Sequence, residues 1–125
     1  MKAKFFTVEE ANILLANIEP LIGELLDRRA KVIDTRRSCK EILFSGNSDF
    51  GGPLPSKMVV DFIAMDRLLK RIRSHGCMIK DVNSGLVDFL SLRDGREVYL
   101  CWKYGEPRVE HYHELHSGFM GRQPI

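Results

Sequence analysis

The chain has 125 residues, of which 44% are hydrophobic and 29% charged, and it carries a net charge of +2. That length fits one domain with one core, and the balance, in the ordinary globular range, favours neither disorder nor a membrane class. No apolar run approaches the ~18–20 residues of a spanning helix, and Thr7, Glu9 and Glu10 follow Phe5 and Phe6 too closely for a signal-peptide core. A cytoplasmic protein without membrane contact is therefore expected. Three cysteines, Cys39, Cys77 and Cys101, are widely spaced with no C-x-x-C, which argues for reduced, buried thiols rather than a disulfide framework or zinc ribbon.

The first element is announced by Thr7 and Glu10, a capping box in which hydroxyl and carboxylate each reach the other's backbone N–H. Val8, Ala11, Leu15, Ile18, Ile22, Leu25 and Val32 then repeat at heptad spacing, widened by Leu14 and Leu21, so one face of a long helix is expected to be buried. Pro20 lacks the N–H that would bond the Ala16 carbonyl, and a kink or short break is expected at 16–20 before the helix resumes to about Leu43. Residues 45–55 are turn chemistry throughout and read as a flexible connector. Ser56 caps a second helix with an expected seam of Met58, Phe62, Met65, Leu69 and Ile72, ending at Gly76. Segments 21–43 and 57–75 match in length and should pair antiparallel. Helix 8–19 is then left to pack on the sheet or on a second subunit.

After Gly76 the apolar period changes from 3.5 to 2, predicting strands at 77–81, 86–92, 97–103 and 108–114. Asp94-Gly95 is a two-residue hairpin turn, and pairing Arg93 with Arg96 sets Ser91 opposite Val98, Phe89 opposite Leu100 and Val87 opposite Trp102. One face then holds Val87, Phe89, Val98, Leu100 and Trp102; the other holds Leu86, Asp88, Leu90, Tyr99 and Cys101. A two-residue loop at Gly105-Glu106 would put His111 and His113 on the core face, whereas one more residue in the loop would reverse them. The expected fold is α+β: a single domain, 1–125, with a coiled-coil-like antiparallel helical hairpin over 1–76. A 3–4-stranded antiparallel meander and a tail occupy 77–125.

The chain carries, in order, Phe6-Thr7-Val8-Glu9-Glu10-Ala11-Asn12, Lys80-Asp81, Gly85-Leu86-Val87-Asp88-Phe89, Asp94-Gly95-Arg96-Glu97-Val98 and Leu100-Cys101-Trp102, followed by Gly105-Glu106, Gly118-Phe119 and Gly121-Arg122-Gln123-Pro124. Together these stretches resemble a family of short, mostly bacterial proteins known as domain of unknown function 2203. The likeness covers almost the whole chain outside the connector. Tyr112-His113 stands where members often have Trp-His, and His111 and His116 lie outside the motif. The resemblance implies no particular activity.

The richest chemistry is His111-Tyr112-His113-Glu114-Leu115-His116. On a strand, His111 and His113 project from one face about 7 Å apart, close enough to share a divalent metal such as zinc with oxygen ligands. The candidate metal set is His111, His113, Asp88 and Glu106, with Asp81 and Glu97 as further oxygen donors. The spacing is not that of H-E-x-x-H. Asp88 lies between Leu86 and Leu90, so it needs a partner, either an arginine such as Arg93 or Arg122 or a backbone donor. Near His113 it could serve as a general base or orient the ring. Cys101 with His113 as base carries no known nucleophile signature and reads as a buried thiol. Arg122 and Asp81 are candidates for binding an anion or anchoring the tail, with Phe119 as its apolar anchor.

Charge separates by segment: −1 over residues 1–20, +4 over 21–76 and −1 over 77–125. Asp27, Asp34, Glu41, Asp61 and Asp66 interleave with the basic residues of the hairpin, so nucleic acid is not the expected partner, although clustered cations are what phosphate contacts need. The preferred reading is a non-enzymatic interaction module, a homodimer joined through its helices or a binder of another protein. The rivals are a small metal protein or metal-dependent enzyme centred on His113 and a nucleic-acid binder.

Overall fold

A computed structural model describes residues 4–44 and 56–125, the side chains of 39–44 excepted. The connector expected at 45–55 and the thiol of Cys39 lie outside the described residues.

Helix α1 spans Val8–Phe44 and α2 spans Ser56–Ser74. The capping box is made as its residue types require: the Thr7 N–H donates to Glu10 Oε1 and the Glu10 N–H to Thr7 Oγ1, both at 3.1 Å. These bonds hold the Glu10 carboxyl below its usual range. Of the kink or short break expected at 16–20, the break does not occur. The helix runs through Pro20 uninterrupted, because one missing backbone bond is outweighed by burial of Ile18, Leu21, Ile22 and Leu25 around it.

Five strands follow, β1 Met78–Asp81, β2 Leu86–Arg93, β3 Arg96–Lys103, β4 His111–Glu114 and β5 Gln123–Pro124, in one antiparallel sheet of order β1-β2-β3-β4-β5. The sheet has one strand more than the larger count expected, because the tail returns to pair His111 with Pro124 and Tyr112 with Gln123. The β2–β3 register is the one derived from Asp94-Gly95, with Phe89 opposite Leu100 and Val87 opposite Trp102. Both turn residues have positive φ, 52° and 78°, as a type I′ turn needs.

One sheet face forms the core with both helices. Val87, Phe89, Val98, Leu100, Trp102 and Tyr112 cluster with Ala11, Leu15, Ile18, Ile22 and Leu25 of α1 and Leu68 and Ile72 of α2. Helix 8–19 thus finds its mate in its own sheet. The N-terminal segment closes the edge of β2: the Phe6 N–H donates to the Leu90 carbonyl, Ser91 Oγ donates to the Phe6 carbonyl, and Phe6 packs edge-on to Phe89 at 5.3 Å.

The seam of α2 differs from the expected one. The buried positions are Met58, Asp61, Leu68 and Ile72, with Met65 and Leu69 packed against the core, while Phe62 is 46% exposed. The helix is rotated so that Asp61, rather than Phe62, faces α1. A buried carboxylate is tolerated there because Arg28 Nη1 donates to Asp61 Oδ1 at 3.0 Å.

Candidate functional site

The β3–β4 pairing decides the fate of the histidines. Leu100 pairs with Tyr112 and Cys101 with His111, one residue away from the register of a two-residue loop. Since a one-residue slip moves every side chain to the opposite face, Tyr112 enters the core and His111 and His113 take the face turned away from the helices. There they join Asp88 and Cys101, which pair across β2 and β3, and Tyr99, which pairs with His113.

On that face His113 is 3% exposed and Asp88 2%. His113 Nε2 lies 3.0 Å from Asp88 Oδ2, and Nδ1 lies 2.8 Å from the Glu114 carbonyl. A carbonyl only accepts, so Nδ1 carries a proton and donates it there. One further proton is then shared between Nε2 and Asp88 Oδ2, and the pair is neutral whichever atom holds it. The second oxygen, Oδ1, is buried and has no hydrogen-bond partner among the described residues.

Cys101 completes a cluster: one ligand atom from each of Asp88, Cys101 and His113 lies within 4.8 Å of the others. Burial, and then the Asp88 carboxylate, push its thiol up to about 12, while Arg122 beside it pulls the other way. It is a protonated thiol at neutral pH, and His113, engaged at both ring nitrogens, is not poised as its base.

The four expected metal ligands do not converge. Asp88 and His113 meet each other, whereas His111 turns toward Glu106, with Nδ1 3.8 Å from Oε2 and no hydrogen-bond partner. Glu106 is committed elsewhere: Arg122 Nη1 donates to its two oxygens at 2.8 and 3.1 Å, and the Lys103 N–H to Oε1 at 2.7 Å. Burial works to raise the Glu106 carboxyl, but these bonds and the Arg122 charge outweigh it and hold it below its usual range. Arg122 also stacks on Phe119 at 4.2 Å, tying the tail over the sheet. Asp81 is remote from Arg122 in role. It accepts from the Asn83 N–H and Ser84 Oγ, closing the β1–β2 turn. Glu97 is exposed, and Asp88 has His113 as its partner rather than an arginine.

Above the pair, a cleft of about 310 Å³ is lined by residues that include Lys80, Asp88, Tyr99, His113, His116 and Phe119. Lys80 Nζ sits 4.8 Å from the centre of the Tyr99 ring. Two contributions were not anticipated from the sequence. Cys101 joins the cluster, though its cross-strand pairing with Asp88 follows from the Asp94-Gly95 register. Asn12 accepts from the Val109 N–H at 2.8 Å and donates to the Val109 carbonyl at 3.3 Å, clasping the chain that leads into β4 onto α1. No local pattern marks that second contact.

A family model described as an uncharacterized conserved protein (DUF2203) matches residues 4–125, and the chain belongs to that family. No curated protein and no solved structure matches it. Among the described residues, no helix is long and apolar enough to cross a membrane.

Proposed function

We propose that this member of the DUF2203 family is a non-enzymatic interaction module that forms a homodimer through α2. The observation that carries the reading is that α2 has two apolar faces. At ~100° per residue, Val59, Val60 and Ile63 lie on the side opposite Met58, Asp61, Met65, Leu68 and Ile72. The second group faces α1 and the core, while the first is 40%, 57% and 48% exposed. A helix apolar on two sides calls for two partners, and α1 is only one of them.

A second copy offers the same apolar stripe. Two α2 helices crossing antiparallel about a two-fold axis between Asp61 and Phe62 would set Val60 against Ile63. The non-enzymatic part rests on the outer-face cluster, in which His113 has no free ring nitrogen and Cys101 is held as a thiol.

The test is light scattering of the untagged protein over a hundredfold range of concentration, beside Ile63→Glu and Val60→Glu. A dimer that each charge converts to a folded monomer is expected. A wild type that stays monomeric at every concentration, or a dimer indifferent to both charges, overturns the proposal.

A further inference from the structure

We propose that Asp88, Cys101 and His113 form a binding site for a soft divalent cation of the zinc class, on the sheet face opposite the helices. The site is independent of the dimer reading, since α2 takes no part in it. Three lines of geometry support it. The donors are one carboxylate oxygen, one imidazole nitrogen and one sulfur, a mixed set that suits zinc and does not suit magnesium or calcium. They come from three adjacent strands, β2, β3 and β4, so the sheet fixes their backbones before any ion arrives. Asp88, on a side chain 2% exposed, has a second oxygen, Oδ1, with no hydrogen-bond donor among the described residues, so the carboxylate keeps acceptor capacity that a cation could use through either oxygen.

The distances are near those needed. Tetrahedral zinc with bonds of ~2.0–2.3 Å holds its ligand atoms about 3.3–3.6 Å apart. The Asp88–His113 contact of 3.0 Å would open by a few tenths of an ångström, and the remaining pairs, all within 4.8 Å, would close by at most about 1.2–1.5 Å.

Binding exchanges protons for metal in a balanced way. The proton shared by Asp88 Oδ2 and His113 Nε2 leaves, the Cys101 S–H proton leaves, and both pass to solvent as one divalent ion enters. His113 Nδ1 keeps its proton on the Glu114 carbonyl, the outer partner that fixes a metal-bound imidazole. Asp88 and His113 both line the cleft, which gives an ion a way in.

The experiment is titration of the reduced, untagged protein with Co²⁺, then displacement by Zn²⁺, followed by absorption and calorimetry. One equivalent of Co²⁺ with an intense thiolate-to-cobalt charge-transfer band is expected, displaced by one equivalent of Zn²⁺. Cys101→Ser should abolish the band and weaken zinc by about 100-fold or more. His111→Gln, outside the set, should leave both within about twofold. Absence of the band in the wild type, or its survival in Cys101→Ser, overturns the proposal. The wild-type spectrum decides even if the serine variant fails to fold.

Discussion

The Arg28–Asp61 contact offers a sharp test of the packing between the helices. Asp61 is 3% exposed at its side chain and has one bonded oxygen, with Oδ2 unpartnered, whereas Arg28 is 30% exposed and reaches water at its own edge. Removing one partner of such a pair is therefore not symmetrical. Arg28→Met strips the only ion-pair partner recorded for Asp61 among the described residues, and leaves a buried carboxylate uncompensated. Breaking a fully buried pair this way costs about 3–5 kcal/mol, and the partial exposure of Arg28 lowers the expectation to about 2–3 kcal/mol. Asp61→Leu instead leaves a guanidinium free to turn to solvent, while leucine continues the apolar seam of Met58, Met65, Leu68 and Ile72. A change within about 1 kcal/mol is expected, of either sign. The double variant should recover most of the Arg28→Met loss, giving a coupling of about 2 kcal/mol. Urea unfolding followed by circular dichroism, at one fixed protein concentration because association adds to apparent stability, measures all four proteins. Equal losses for the two single variants, or a double variant as unstable as their sum, would refute the assignment of Asp61 to a desolvated seam position.

Three further outcomes follow from the same structure. Asn12→Ala leaves the N–H of Val109, a residue 1% exposed, without its acceptor, and should cost about 1–3 kcal/mol in the same urea assay. Gly85→Ala meets two obstacles, a φ of +72° and a Cβ built 2.8 Å from Tyr104 Cβ, whereas Gly95→Ala meets positive φ in open space. Thermal melting should show Gly85→Ala clearly the worse, with the Gly95 variant losing about 1 kcal/mol. For pH, the Glu106 carboxyl lies below its ordinary value of 4.5 when folded. Its contribution is present in full above that value and disappears as pH falls through the lower, folded one. Melting temperature measured from about pH 6 to pH 3 should therefore fall less steeply in Glu106→Gln than in the wild type.

Much of this architecture can be read from local chemistry. Thr7 and Glu10 sit three apart because a helix start leaves N–H groups to satisfy, and Asp94-Gly95 fixes a hairpin because few other residue pairs accept positive φ twice. From that turn the facing pairs Phe89–Leu100 and Val87–Trp102 follow by counting, and so does the juxtaposition of Asp88 with Cys101. The family motif runs through the same stretches. What each of these features shares is that its cause lies within a few residues of its effect.

The remainder depended on contacts that sequence distance conceals. A heptad pattern on α2 admits two neighbouring seams, and only the arrival of Arg28 from α1 selects the one that buries Asp61 and exposes Phe62. The parity of β4 turned on a single residue in the loop after β3, so the placement of His111 and His113 was a choice between two faces that local propensity leaves equal. The β-register with Cys101 and Leu100 made that choice, and with it sent His113 to Asp88 and His111 to Glu106. Periodicity determines which residues share a side, because side-chain direction repeats with the backbone. Which side is buried, and beside what, is decided by packing, because burial is a property of neighbours that the chain meets only once it has folded.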